Sequence, residues 1–215
     1  MADIRRALVL IDVQNDYFTS GGPLEIQYPD RLESLGNIAR AIDLAEQHGM
    51  PIVCFQHETP EGSPVFAKGS EGWKLHPDIE SRRKDSWKHL IKAYGSVFAG
   101  TDLEAWLRDN QIDVMTVAGY MTNNCDLASA AAAEPLGIAV ELLSDASGAI
   151  HLANDAGTVN ARQLHEALMV LLHSNFAAVA TTQDWIQAVE AGNALPKSDL
   201  GTSGLQGQQA FQTGV

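Results

Sequence analysis

Short apolar runs alternate along this chain of 215 residues with longer segments in which apolar positions recur at helical spacing. The runs predict strands at 7–13, 52–55, 114–118, 139–143 and 177–180, with a short additional strand at 90–92. Uninterrupted apolar runs are typical of strands buried on both faces of a parallel sheet. The helical spacing predicts helices after Asp30, after Thr101, and over 122–134, 158–173 and 182–191.

Strand and helix alternate throughout, which predicts an α/β fold: a doubly wound, mostly parallel sheet sandwiched between two layers of helices. A long irregular segment at 56–88 contains Gly and Pro at several positions, and a loop of this length inside a compact domain is usually functional or covers a site. We therefore predict one domain over 1–191. The remaining tail, 192–215, is rich in Gly, Gln and Ser, and we expect it to be mobile or packed on a partner subunit.

The net charge and the length of the apolar runs exclude several classes of binding partner. The chain has 14 Lys and Arg against 27 Asp and Glu, a formal net charge of −13, which disfavours nucleic acid and anionic membranes as partners. The apolar run near the N-terminus is too short for a signal peptide core or a membrane span. We expect a cytoplasmic protein whose partner is a small-molecule substrate.

Three reactive side chains follow predicted strands. Asp12 ends the first strand, Lys92 ends the short third one, and Cys125 lies where the fourth strand turns into a helix. Ligands of doubly wound sheets bind outside the carboxyl ends of the strands, so these three side chains are expected at one crevice. A cysteine at a helix N-terminus beside a lysine favours the thiolate, and a nearby carboxylate can relay its proton.

Each residue also has a purely structural interpretation. Free cysteines are most often core residues, and Cys54, inside the apolar run at 52–55, is expected to be one. An aspartate at a strand end is often a turn residue, and a lone lysine is usually a solvated charge. Only the combination of the three points to chemistry.

Four segments together resemble the isochorismatase-like cysteine hydrolase family. They are LVLIDVQNDYF at 8–18, IKAYGSVFAGTDLEAWL at 91–107, VAGYMTNNCDLASA at 117–130 and LLSDASGA at 142–149. The resemblance covers about residues 5 to 185, in the family's order and spacing. It implies a six-stranded, mostly parallel sheet, a catalytic triad of Asp12, Lys92 and Cys125, and a homo-oligomer, either a dimer or a larger assembly.

The resemblance also implies finer features of the site. Members often have a cis peptide before the Thr of the third segment, here Tyr120–Met121. The backbone N–H groups of Met121 and Cys125 would then form an oxyanion hole. We expect Phe18, His57, Tyr94 and Tyr120 to line the pocket, a set suggested by their neighbourhoods alone.

The sequence departs from the family pattern at two positions that bear on the nucleophile and on metal binding. Cys125 is followed by Asp126, where members commonly have Val; an inward acid would oppose a thiolate, and an outward one would stabilise the helix. Nicotinamidase-type members carry Asp-x-His after the second strand, but Phe55 occupies the Asp position here. His57 and His76 are too few for a zinc site, so we predict neither metal nor cofactor, and nicotinamide becomes a less favoured substrate.

The combined hypothesis is hydrolysis of a small amide or related C–N bond through a thioester on Cys125. One alternative is vinyl-ether hydrolysis of isochorismate, although members with that activity lack the cysteine. A non-catalytic small-molecule-binding protein of the same fold is a second alternative, disfavoured by the complete triad. A redox-sensing thiol is a third, disfavoured because Cys54 is predicted to be buried.

Overall fold

A six-stranded parallel sheet organises the computed structural model, which describes residues 4–212. The spatial order of its strands is β3-β2-β1-β4-β5-β8, and every neighbouring pair is parallel. These strands are β1 (Arg6–Ile11), β2 (Ile52–His57), β3 (Lys88–Lys92), β4 (Val114–Tyr120), β5 (Ala139–Gly148) and β8 (Ala178–Ala180). The predicted doubly wound α/β architecture with six strands is confirmed.

Helices cover both faces of this sheet. The described residues form α1 (Arg31–Gln47), α2 (Pro77–Glu80), α3 (Leu103–Asp109), α4 (Leu127–Ala133), α5 (Ala161–Asn175), α6 (Thr182–Glu190) and α7 (Leu200–Phe211). Of these, α1, α3, α4, α5 and α6 pack against the sheet. One core lies between the sheet and α1 with α6, and includes Ile38 and Trp185. The other lies between the sheet and α3, α4 and α5, and includes Leu107 and Leu172. Each such buried side chain stabilises the fold by roughly 1.5–3 kcal/mol.

Helix starts follow the capping chemistry of the sequence. The side chain of Asp30 accepts hydrogen bonds from the N–H groups of Leu32 and Glu33, as predicted for the start of α1. Thr101 accepts one from the N–H of Leu103, at the start of α3, although Asp102 occupies the cap position. None of the described helices combines the length and apolar character that a membrane span requires.

A buried ion pair lies near the amino ends of the strands, whereas the reactive residues lie at their carboxyl ends. Arg6 contacts Glu141 at 2.9 Å, and both side chains are almost fully buried. Thr116 and the indole N–H of Trp185 also donate hydrogen bonds to Glu141. This cluster joins β1, β4, β5 and α6, and its buried charge is paired and hydrogen-bonded, as burial requires.

Three local predictions differ from the structure. The segment predicted as one helix from 122 is a π-helical turn, Thr122–Asp126, followed by α4, which ends before Pro135. Helix α5 begins at Ala161 because a hairpin of β6 (Leu152–Asn154) and β7 (Gly157–Val159) precedes it. The irregular segment at 56–88 contains the short α2.

The tail contains a helix that the sequence did not predict. Helix α7 has no buried residue and carries three glycines, each of which lowers helix stability by roughly 1 kcal/mol. Its Leu200, Leu205 and Phe211 are exposed. That the tail is mobile or packs on a partner subunit remains a prediction.

Candidate active site

The three reactive residues meet at the point where the chain changes direction across the sheet. After β1 the chain builds β2 and β3 on one side, and then crosses to β4 on the other side of β1. Asp12 follows β1, Lys92 is the last residue of β3, and Cys125 lies in the π-helical turn after β4. Such a switch point leaves a crevice at the carboxyl ends of the strands.

Lys92 is the centre of this group. Its Nζ lies 2.6 Å from Asp12 Oδ2 and 3.2 Å from Cys125 Sγ. It also donates a hydrogen bond of 3.1 Å to the carbonyl of Tyr94 and lies 3.2 Å from Nδ1 of His57. Asp12 is fully buried and Lys92 and Cys125 are each 2% exposed, so the group is held in a water-poor environment where charges interact strongly.

Gly119 allows β1 and β4 to approach closely enough for this arrangement. It has φ +124°, and a Cβ there would lie 2.1 Å from the carbonyl oxygen of Ile11. Only glycine tolerates both the backbone conformation and the contact. The close approach places the turn that carries Cys125 beside Asp12, whose own φ is 50°.

Gln14 fixes the position of His57. Its amide oxygen accepts a hydrogen bond from the N–H of His57 at 2.7 Å, and its amide nitrogen donates to the carbonyl of His57 at 2.9 Å. The same nitrogen donates to the carbonyl of Trp73. Gln14 is fully buried, and these hydrogen bonds satisfy its amide while joining the loop after β1 to the end of β2.

The protonation of the thiol differs from the sequence prediction. Burial, and then the neighbouring carboxylate of Asp12, raise the pKa of Cys125, while Lys92 lowers it; the net shift is upward. The expected preference for the thiolate is therefore wrong for the free protein, because desolvation outweighs the lysine. Burial lowers the pKa of Lys92, but Asp12 and Cys125 outweigh it, so the net pKa is raised and the ammonium stays charged.

A metal ion does not fit beside a charged Lys92. Asp12, His57 and Cys125 offer ligand atoms that lie within 4.8 Å of one another, a spacing at which a cation could be held. However, the Lys92 ammonium lies within 3.2 Å of an atom of each of the three and already provides the positive charge there. That the chain uses no metal remains a prediction.

The predicted pocket residues divide into three groups. His57 is half-buried and contacts Lys92, as described above. Tyr94 contacts the lysine through its backbone carbonyl, and the residue is 64% exposed. The ring of Tyr120 is fully buried, packs against Phe18 with centroids 5.6 Å apart, and its hydroxyl contacts Ser34 at 2.6 Å. Tyr120 thus belongs to the core, and its ring does not face solvent.

The turn proposed to supply the oxyanion hole is tightly closed. The N–H groups of Asn124 and Asp126 both donate to the carbonyl of Met121, at 3.0 and 3.3 Å. The Tyr120–Met121 peptide is cis, as the family resemblance implied. Met121 and Cys125 therefore lie at the two ends of one compact turn; the role of their N–H groups as oxyanion donors remains a prediction.

Sequence reasoning missed Tyr17. The residue is 1% exposed, and burial, followed by electrostatic interactions with Cys125, Asp12 and Asp126, raises the pKa of Tyr17 well above the ordinary value. Tyr17 therefore lies close to the reactive group. The signal was present in the segment at 8–18, where an aromatic pair follows the loop after the first strand.

The two cysteines lie on opposite faces of the sheet. Cys54 belongs to the core beside α1, whereas Cys125 belongs to the core beside α3, α4 and α5. Both are free thiols, and burial raises the pKa of Cys54 to about 12. Because the sheet separates them, Cys54 is poorly placed to resolve an oxidised Cys125.

The sequence from residue 6 to residue 184 matches the family model of the Isochorismatase domain. A crystal structure of a candidate isochorismatase from Burkholderia xenovorans LB400 is similar to this structure with a TM-score of 0.93. The two sequences are 45% identical, and the alignment covers 99% of this chain and 100% of that one. Nearly all of the tail is therefore shared with that protein.

Two curated bacterial proteins are also similar. An uncharacterized isochorismatase family protein of Bacillus subtilis (strain 168) is 28% identical over 183 residues, which cover 84% of this chain and 98% of the relative. The nicotinamidase of Escherichia coli (strain K12) is 27% identical over 183 residues, covering 68% of this chain and 84% of the relative.

Proposed function

Since the chain belongs to the isochorismatase family of hydrolases, we propose that it hydrolyses an amide-type C–N bond of a small molecule through a thioester on Cys125. One observation carries this proposal. The Lys92 ammonium contacts the thiol of Cys125 and the carboxylate of Asp12 at the same time, in a buried crevice. A nucleophile, a base and a fixed positive charge are thus within reach of one reacting carbonyl.

The first half of the reaction is acylation. Asp12 accepts the proton of the Cys125 thiol, and the sulfur attacks the carbonyl carbon of the substrate. The resulting oxyanion is stabilised by the N–H groups of Met121 and Cys125. The C–N bond then breaks, the proton on Asp12 passes to the nitrogen, and ammonia or an amine leaves.

The second half is deacylation. Asp12, again a carboxylate, accepts a proton from water, whose oxygen attacks the thioester carbonyl. The C–S bond breaks, a carboxylic acid is released, and the proton returns to the sulfur of Cys125. Lys92 stays charged through both halves because its contacts with Asp12 and Cys125 hold its pKa above the ordinary value.

Similarity to the nicotinamidase of Escherichia coli supports a C–N bond as the target. The thiol supports the same choice, because amide cleavage by acyl transfer needs a nucleophile at this position. Hydrolysis of a vinyl ether does not need one, so the site offers no observation that favours that alternative.

The test compares two cysteine variants of the whole protein. Ammonia release is measured with acetamide, benzamide and nicotinamide, and acylation with p-nitrophenyl acetate, read by intact mass and peptide mapping. We expect the wild type to acylate at Cys125 and Cys125→Ala to lose both activities with unchanged circular dichroism.

Cys54→Ala is the matched control, since it also removes a buried thiol, from the opposite face of the sheet. It should retain activity. Full turnover in Cys125→Ala, or acylation of the wild type at another residue, contradicts the proposed mechanism. A protein that binds these amides without acylation would favour the non-catalytic binding function instead.

A further inference from the structure

A single hydroxyl connects the two ends of the turn that carries the nucleophile. Thr122 directly follows Met121, and Asp126 directly follows Cys125. The hydroxyl of Thr122 lies 2.8 Å from the hydroxyl of Ser147, and the same Ser147 hydroxyl donates a hydrogen bond to the carboxylate of Asp126. The two proposed oxyanion donors are the N–H groups of Met121 and Cys125. The residue after each of them, Thr122 or Asp126, contacts the hydroxyl of Ser147 through its side chain.

Ser147 is itself rigidly placed. It lies in β5 opposite Gly119 of β4, the glycine in close contact with β1. Ser147, Thr122 and Asp126 are all fully buried. The chain of polar contacts continues from Thr122 to Nδ1 of His165 in α5, at 2.9 Å. Buried and hydrogen-bonded, these side chains have little freedom to move.

We propose that Ser147, acting through Thr122 and Asp126, is a positioning residue that fixes the spacing of the Met121 and Cys125 N–H groups around the reacting oxygen. The inference rests on the proposed function, because it assigns a role within the same acyl transfer. Oxyanion stabilisation depends on donors held at hydrogen-bond distance from the developing charge, so a loosened turn loses rate rather than substrate affinity.

The contact between Ser147 and Asp126 needs an acceptor, not a full charge. Burial, opposed by the hydrogen bond from Ser147, raises the pKa of Asp126 to about 7. Other charged groups near it are Asp12 of the loop after β1 and Lys92 of β3. Because a neutral oxygen also accepts from a serine hydroxyl, Asp126→Asn retains this contact, whereas Asp126→Leu removes it.

Two reagents separate oxyanion stabilisation from the reactivity of the sulfur. Acylation of Cys125 by p-nitrophenyl acetate passes through a tetrahedral oxyanion, whereas alkylation by iodoacetamide displaces iodide at carbon and forms none. Both reactions need the thiolate and access to it. The ratio of the two rates therefore reports on the oxyanion donors alone, and a general loss of fold would lower both rates together.

We expect Ser147→Ala and Asp126→Leu to acylate about 10–100-fold more slowly than the wild type. Their alkylation, at a pH where the wild type reacts measurably, should not fall more than about 2-fold, since alkylation needs only the thiolate. Asp126→Asn should acylate close to the wild-type rate. Ser144→Ala is the matched control, because it removes a hydroxyl of the same strand that contacts the carbonyl of Ala180; neither rate should change.

The possible failures are distinguishable. If the wild type is not acylated at Cys125, the proposed function fails and this inference falls with it. If the wild type is acylated and Ser147→Ala acylates equally fast, only the inference is overturned. Equal falls in acylation and alkylation would also overturn it. Should Ser147→Ala fail to fold, the comparison of Asp126→Leu with Asp126→Asn decides, and equal rates in that pair overturn the inference.

Discussion

Replacing Lys92 with methionine tests how the reactive group is held together. Methionine is unbranched like lysine, so it keeps most of the packing and removes only the ammonium. In the structure the Lys92 and Asp12 side chains are both 0% exposed, with Nζ 2.6 Å from Oδ2. Within the described residues, neither carboxylate oxygen of Asp12 accepts a well-aligned hydrogen bond. The ion pair with Lys92 is therefore the main interaction that offsets the cost of burying the Asp12 charge.

The expected loss of stability follows from this burial. Removing one partner of a buried ion pair leaves an uncompensated charge and typically costs about 3–5 kcal/mol. Domains have a free energy of unfolding of only about 5–15 kcal/mol, so Lys92→Met should be severely destabilised. With a urea m-value of about 3 kcal/mol/M, the midpoint should fall by roughly 1–2 M.

Urea unfolding followed by circular dichroism gives the measurement, and Asp12→Asn with the double variant completes a cycle. Asn is the suitable partner change because Asp12 has φ 50°, a conformation that Asn tolerates well. In Asp12→Asn/Lys92→Met no buried charge is left unpaired. We therefore expect the double variant to recover at least half of the loss seen in Lys92→Met, a coupling of about 2 kcal/mol or more.

Two results would refute this reasoning. If Lys92→Met costs less than about 1 kcal/mol, the buried pair does not organise the site, since a loss that small is typical of exposed pairs. If the two single losses simply add in the double variant, Asp12 and Lys92 are not energetically coupled. All three variants should lose acylation of Cys125 whatever their stability, because each lacks the base, the ammonium or both.

Three further predictions concern the same end of the sheet. Gly119→Ala should lower the free energy of unfolding by more than about 3 kcal/mol, whereas Gly137→Ala, also at positive φ but with open space around it, should lose only about 1–2 kcal/mol by thermal or urea unfolding. Asp126 has a folded-state pKa raised from 3.8 to about 7. Its stabilisation is therefore present below about pH 4 and lost as the pH rises to 7, by up to about 4 kcal/mol, and Asp126→Asn should show a flatter stability profile over this range. The rate of iodoacetamide alkylation of Cys125 should rise with pH with a midpoint above that of an ordinary thiol, and a midpoint below it would show that burial does not outweigh the lysine.

The sequence predicted the fold well because its four central strands, β2, β1, β4 and β5, are mostly buried on both faces. A continuous apolar run such as that of β1 must be buried on both faces of the sheet. The number of such runs and their alternation with helices therefore predict a doubly wound parallel sheet. Capping chemistry located α1 to within a residue of its start. The hairpin of β6 and β7 escaped notice because its two strands have three residues each and are largely exposed, so they lack an apolar pattern.

The residues of the candidate site were predictable from the sequence, but the protonation of Cys125 and the orientation of Asp126 were not. Asp12, Lys92 and Cys125 follow from the rule that parallel strands present their carboxyl ends at one edge. The direction of the Cys125 pKa did not follow, because it depends on how completely the thiol is buried, and burial of a loop residue cannot be obtained from its neighbours in sequence. The orientation of Asp126 was likewise open, and the structure places it fully inside.

The raised pKa of Cys125 is compatible with the proposed mechanism because the proton need not leave the site. At rest the group contains the Lys92 ammonium, the Asp12 carboxylate and a neutral thiol. Moving the thiol proton to Asp12 gives an ammonium, a carboxylic acid and a thiolate, so the net charge of the group is unchanged. An internal transfer of this kind avoids creating net charge in a buried site, which is the main penalty that burial imposes. The thiolate is then formed beside the ammonium, 3.2 Å from Nζ, where the positive charge stabilises it. Burial thus suppresses the free thiolate in the resting protein, while in the proposed mechanism the ion pair provides a route to it once a carbonyl is positioned for attack.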